Sequence, residues 1–140
     1  MDYTKFLDGV VYEPTQNEGH GFDLTVAEVY ELTGPGRIDF GGGELDAADI
    51  EPHDSQKRNA EDDYEWWHLD AGRYLIEYNE SLAADVAVTI QARDELLARG
   101  ASHPTLQVTE LPRVPLSVGG EGIRLKENAR VSTLVDVDTV

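Results

Sequence analysis

The chain has no cysteine. Disulfides, thiolate metal sites and the paired-cysteine signature of zinc deaminases are excluded at once. It has no apolar run near the roughly 20 residues needed to span a bilayer. Its opening residues, Met1-Asp2-Tyr3-Thr4-Lys5, lack the charged-then-apolar layout of a signal peptide, so a cytoplasmic protein with no membrane contact is expected. Positive charge is scarce: 11 basic residues stand against 28 acidic ones, a formal net charge of −17. Such a surface repels nucleic acid and anionic lipid, and neither is expected as a partner. Lysine is scarcest, with three (Lys5, Lys57, Lys126) against eight arginines. Acidic residues fill even the turns, as in Glu61-Asp62-Asp63. This looks like the composition of a salt-adapted, halophilic protein, whose self-repulsion is screened by high salt; the alternative is an ordinary acidic protein.

High charge can also mean disorder. Against that stand 40% apolar residues and clear period-two alternation. The 140 residues suffice for one domain, 1–140, with a real core. Phe22, Leu24 and Val26 begin a strand. Tyr74, Ile76 and Tyr78 alternate with Arg73, Leu75 and Glu77, which reads as a half-buried strand. Val86, Val88 and Ile90 repeat the pattern, followed by Val114–Val118, Ile123 with Leu125, and Val131 with Thr133 and Val135. Ile38-Asp39-Phe40 reads as one further short strand, between Gly/Pro turns. Residues 44–65 are polar, acidic and aperiodic, and read as a long surface loop. Many short strands with regular turn signals predict an all-β sandwich or barrel. One short helix is expected at Arg93–Arg99, closed by Gly100 in the position of a C-terminal cap.

Single residues add little alone. The adjacent indoles of Trp66 and Trp67 must face opposite sides of a strand, one into the core and one toward a subunit contact or a base. The four histidines show no paired ligand spacing. Gly41-Gly42-Gly43 lacks the Lys-Ser/Thr of a P-loop and reads as a turn. Asp70, Glu77 and Glu80 read as solvated charges at strand ends.

Order and spacing say more. Gly21-Phe22-Asp23-Leu24 opens a strand. Leu69-Asp70-Ala71-Gly72 leads into the strand at Arg73. Ala92-Arg93-Asp94-Glu95-Leu96-Leu97-Ala98-Arg99-Gly100 reads as a capped helix, and Ile123 to Leu134 reads as a hairpin. Together these pieces resemble the dUTPase / dCTP deaminase superfamily over most of residues 20–135, in a form expected of a haloarchaeon. The resemblance implies a distorted β-barrel or jelly-roll and a homotrimer. It also implies a deoxynucleoside triphosphate substrate, dUTP or dCTP, with Mg2+ as cofactor. It places Arg93 on the family's phosphate-binding arginine, where a helix N-terminus also offers free N–H groups. It makes Asp23 a carboxylate that supports the metal through water or holds the barrel end. Arg93 could instead form an ion pair with Asp94 or Glu95.

The departures are specific. Asp94 and Glu95 stand where the family has phosphate-binding serines. The interval from Gly100 to Ile123 contains neither the Asp nor the Tyr of the family's nucleotide motif, and offers Glu110, Arg113 and Ser117 instead. Glu110 is the candidate general base for a deamination, and Ser117 a candidate nucleotide contact. Residues 136–140 show no counterpart of the family's glycine-rich arm. Three readings follow: hydrolysis of dUTP to dUMP and pyrophosphate or deamination of dCTP; a catalytically eroded paralogue that keeps the barrel for binding or assembly; or an unrelated β-barrel binding module.

Overall fold

The computed structural model describes residues 1–139. After a 3-10 turn at Tyr3–Phe6 come β1 (Leu7–Asp8) and a single helical turn, α1 (Glu13–Gln16). The long β2 (Phe22–Gly34) leads to β3 (Asp49–Pro52), β4 (Trp66–Leu69), β5 (Gly72–Tyr78), β6 (Ser81–Leu82) and β7 (Val86–Ala92). Next are α2 (Asp94–Ala98), β8 (Ala101–Ser102), β9 (Leu106–Val108), β10 (Val114–Val118), β11 (Ile123–Lys126) and β12 (Arg130–Thr139). The fold is all-β, as the alternation predicted. The helix at Arg93–Arg99 is present as α2, with Gly100 beyond it at φ +85°, a backbone that glycine adopts without strain. A second short helix, α1, was not anticipated.

One sheet dominates. Its strand order is β8-β10-β5-β2-β12-β7-β9, with β3 added against β2, and all pairings are antiparallel. β12 is the hinge of this sheet. It pairs with β2 through Arg130–Leu134 and with β7 through Ser132–Thr139, with register shifts at Arg130/Ser132 and Leu134/Asp136. β2 carries its own shifts, at Val26/Glu28 and Leu32/Gly34. Bulges of this kind bend a strand and increase its twist, and here they curl the sheet into a half-barrel. Two small ribbons, β1-β6 and β11-β4, complete the strands.

The core fills the concave side. Phe22, Leu24, Val26, Val29, Ile76, Val88, Ile90, Val114, Leu116 and Leu134 are all fully buried, each worth about 1.5–3 kcal/mol relative to exposure. Trp67 is buried among them, while Trp66 lies on the outer face beneath the guanidinium of Arg58. The opposed indoles are therefore as expected.

Three local expectations need correction. Ile123 to Leu134 is not a hairpin: β11 pairs with β4, and β12 with β2 and β7. Ile38-Asp39-Phe40 is not a strand; no neighbour offers it a ladder, and Ile38 and Phe40 are fully exposed on the connection between β2 and β3. Residues 44–65 are not one long loop. They contain β3, a bridge from Asp46 back to Arg37 and another from Gln56 to Trp66. The segment has partners because β2 runs for 13 residues and leaves backbone groups to be satisfied.

Candidate functional site

β2 begins with five consecutive buried residues, Phe22 to Val26. Alternation explains this. Phe22, Leu24 and Val26 enter the core, so Asp23 and Thr25 must face the other way. They are buried too, because polar partners cover them.

Asp23 is the centre of the first group. Its Oδ1 accepts a hydrogen bond from the Thr133 hydroxyl at 2.9 Å, its direct partner across the β2–β12 ladder. Its Oδ2 lies 3.1 Å from Nη1 of Arg130 and 3.4 Å from Nε of Arg93. Arg93 precedes the first turn of α2, and its Nη1 donates to the carbonyl of Arg130 at 3.1 Å. The two guanidiniums are thus held side by side. Each also has an outer partner: Arg93 Nη2 meets Glu95 at 2.7 Å, and Arg130 Nη1 meets Glu18 at 2.9 Å. A cleft of about 210 Å³ opens over this group, with Gly19, His20, Gln91 and Asp94 on its walls. Gly21 lies beside it. A Cβ there would run into the carbonyl of Leu134 and the methyl of Thr133, so only glycine lets β2 start this close to β12.

Three of the residues expected from the sequence therefore meet: Asp23, Arg93 and Glu95. Arg130, Thr133, Glu18 and His20 join them without having been singled out, although Arg130 sat inside a matched segment. Glu110 and Ser117 do not join them. Glu110 is exposed on the turn between β9 and β10, and Ser117 points outward from β10 because Val114, Leu116 and Val118 take the inward positions. Asp23 bears on the metal as well. Both its oxygens are committed to Thr133 and the two arginines, and among the described residues no group of three His, Asp or Glu side chains could hold an ion. The described side chains therefore offer no direct ligand set for magnesium, which is a different role from support of a metal through water.

Thr25 anchors a second buried group. Glu80 accepts from the Thr25 N–H at 2.9 Å, the Thr25 hydroxyl at 2.6 Å and Gln16 Nε2 at 3.0 Å. Gln16 also donates to the carbonyl of Asp23, and its Oε1 accepts the N–H groups of Val11 and Tyr12. Glu80 is 3% exposed, which corrects its reading as a solvated charge. Burial pushes its carboxyl above the usual range, against the hydrogen bonds that pull it down. A third group lies inside the core. Ser132 Oγ is 2.6 Å from the Tyr78 hydroxyl and 2.7 Å from His103 Nε2, while His103 Nδ1 is 2.8 Å from the carbonyl of Pro104. Nδ1 donates to that carbonyl, which can only accept, and in the neutral imidazole Nε2 then accepts from Ser132. Burial lowers its pKa and raises that of Tyr78.

No protein-family model matches the chain. Individual proteins do. The probable deoxyuridine 5'-triphosphate nucleotidohydrolase of Methanosarcina acetivorans is 29% identical over 136 residues, covering 92% of this chain and 76% of that protein. The protein of the same name from Archaeoglobus fulgidus is 30% identical over 128 residues, covering 86% of this chain and 71% of its own length. The chain belongs to the dUTPase / dCTP deaminase-like superfamily. Among solved structures, the 2'-deoxycytidine 5'-triphosphate deaminase of Agrobacterium tumefaciens superposes with a TM-score of 0.61 at 13% identity. The match covers 94% of this chain and 43% of the deaminase, and it supports the fold alone. No helix among the described residues is long and apolar enough to cross a membrane. In this dUTPase-like chain, then, the Asp23–Arg93–Arg130 group sits where the Gly-Phe-Asp-Leu strand and the Arg93 helix converge.

Proposed function

We propose that this chain is a nucleotide hydrolase that converts dUTP to dUMP and pyrophosphate, with the triphosphate bound in the cleft over Arg93 and Arg130. The observation that carries this reading is the pairing of two guanidiniums on one buried carboxylate beside the first turn of α2. Such a pair presents fixed, charged N–H donors to phosphate oxygens, which positions the chain and stabilises charge developing on it. A water molecule would form the new P–O bond at the α-phosphorus as the bond to the departing pyrophosphate breaks. Magnesium would have to arrive on the triphosphate, since the side chains here do not hold it. Deamination of dCTP is the less favoured chemistry, because Glu110 lies away from the cleft.

A homotrimer is part of the proposal. Phe40, Ile38 and Tyr12 leave large apolar surface uncovered, which a subunit contact would bury. The second reading, an eroded paralogue, is favoured by one observation: Glu95 occupies Arg93 in place of a phosphate.

The test is incubation of pure protein with dUTP or dCTP and magnesium in molar salt, followed by product analysis. Release of dUMP and pyrophosphate is expected. Arg93 is mostly buried, so its truncation would also disturb the fold. Arg93→Lys is the better probe: it keeps the charge but loses the fork. It should weaken binding of a non-hydrolysable dUTP analogue. An unmutated protein that is folded yet neither binds nor hydrolyses dUTP would overturn the enzyme reading and leave the paralogue.

A further inference from the structure

We propose that Glu18 and Glu95 are internal stand-ins for ligand phosphates, so that the cleft is a polyphosphate site closed by two displaceable carboxylates. This rests on the reading of the cleft as a phosphate site, but not on catalysis there.

The geometry separates inner from outer partners. The Asp23 side chain is 7% exposed and is fixed by Thr133 as well as by both arginines. The Glu95 and Glu18 side chains are 57% and 59% exposed, and each meets its arginine from the solvent side. Neither has a further hydrogen bond to the arginine-bearing frame that would hold it there; Glu18 follows α1 in a turn, and Glu95 lies in the first turn of α2. Inner contacts orient the guanidiniums. Nε and Nη1 of Arg93 are taken by Asp23 and the Arg130 carbonyl, which aims Nη2 outward at Glu95. Arg130 makes its contacts to Thr15, Glu18 and Asp23 through Nη1.

An ion pair whose carboxylate is largely in solvent is weakened by water, which screens the charge and competes for the carboxylate, while the exposed side chain loses freedom on pairing. Phosphate oxygens accept the same N–H groups in shorter, charge-assisted bonds, and several at once from one ligand. A polyphosphate chain can therefore replace both glutamates while Asp23 keeps the arginines in place. The released carboxylates, with Asp94, still face the ligand. The stand-ins thus lower affinity in two ways: by occupying the donors, and by repelling the anion that takes their place. Both guanidiniums contact one oxygen of Asp23, so a single orthophosphate can reach them; a chain of linked phosphates offers more oxygens to the same donors, which favours triphosphate over monophosphate and so substrate over the nucleotide product.

The test uses the full chain in molar potassium chloride, with inorganic tripolyphosphate as the probe and calorimetry as the readout. Glu18→Gln/Glu95→Gln keeps shape and removes the charges. It should bind tripolyphosphate about tenfold or more tighter than the parent, with a smaller gain for orthophosphate. Glu44→Gln/Glu121→Gln changes net charge equally on exposed residues away from the cleft, and should show no such gain. The proposal is overturned if the first double variant, folded by circular dichroism, binds no tighter than the parent, if neither binds at all, or if the remote control gains as much. Hydrolysis of dUTP is measured in parallel. Tighter tripolyphosphate binding with no turnover in any variant would sink the enzyme reading and leave the stand-ins intact. Turnover by the parent with no gain in affinity would do the reverse.

Discussion

Replacing Asp23 with asparagine should cost the fold far more than replacing the glutamates that touch the same arginines. The change keeps an acceptor for Thr133 but removes the negative charge between two guanidiniums at 3.1 and 3.4 Å. At an effective dielectric near 20, Coulomb's law gives about 5 kcal/mol per contact at such a separation, before desolvation is subtracted. Breaking a buried pair by removing one partner costs about 3–5 kcal/mol, because the remaining charge is left uncompensated. Arg93 and Arg130 keep their outer carboxylates, so the lower end applies, about 3 kcal/mol. For a chain of this size that is a fall of about 10 °C in thermal midpoint. Glu95→Gln and Glu18→Gln should each stay within about 0.5 kcal/mol. Urea unfolding in molar potassium chloride, followed by the fluorescence of buried Trp67, would measure all three. If Asp23→Asn costs less than about 1 kcal/mol, or no more than Glu95→Gln, the division into inner and outer partners is wrong.

Other perturbations have definite signs. His103 has a lowered pKa in the fold, so below its ordinary value of 6.5 the unfolded chain takes up a proton first and stability falls with pH; Glu80, raised above 4.5, contributes a slope of opposite sign in that region. Relative to the parent, His103→Gln should therefore gain stability on acidification and Glu80→Gln should lose it, as urea titrations across pH would record. With a net charge of −17, the thermal midpoint should climb as potassium chloride is added, and a flat or falling series would count against the salt-adapted reading. Gly21→Ala would force a Cβ onto the Leu134 carbonyl and cost about 1–3 kcal/mol of strain, visible in the same unfolding curves.

Much of the sheet was legible because its inward residues alternate with outward ones. Tyr74-Leu75-Ile76, Val86-Ala87-Val88 and Val114-Pro115-Leu116 each carry their face in their spacing. The charged interior was not legible. Glu80 follows a strand end, where a carboxylate is ordinarily wet; its partners Thr25 and Gln16 lie 55 and 64 positions away. Gln16 itself sits on a turn with a proline, which gives no sign that it will be buried. Phe22-Asp23-Leu24 shows the same limit from the other side. Its alternation puts Asp23 opposite the core, but only the pairing with β12 brings Arg130 and Thr133 over it. Ile38 and Phe40 failed as a strand for a related reason: spacing describes a face, and a strand needs a neighbour. In the site, the Arg93 segment was found through its likeness to a family, whereas Glu18 and His20 lie in a turn without any periodic signal.

The path of β12 has a consequence for how the protein forms. Asp23 and Thr133 stand 110 positions apart, and the cleft draws on three distant stretches of chain. Such pairings must close large loops before any contact rewards them, which places folding in the range of milliseconds to seconds. Until β12 docks, the edges of β2 and β7 both lie open, and apolar edges recruit other chains. Mutual repulsion between highly acidic copies keeps those half-formed chains apart. Added salt shortens the reach of that repulsion while it steadies the finished sheet. Refolding yield should therefore pass through a maximum as salt increases, at a concentration that falls when more protein is present.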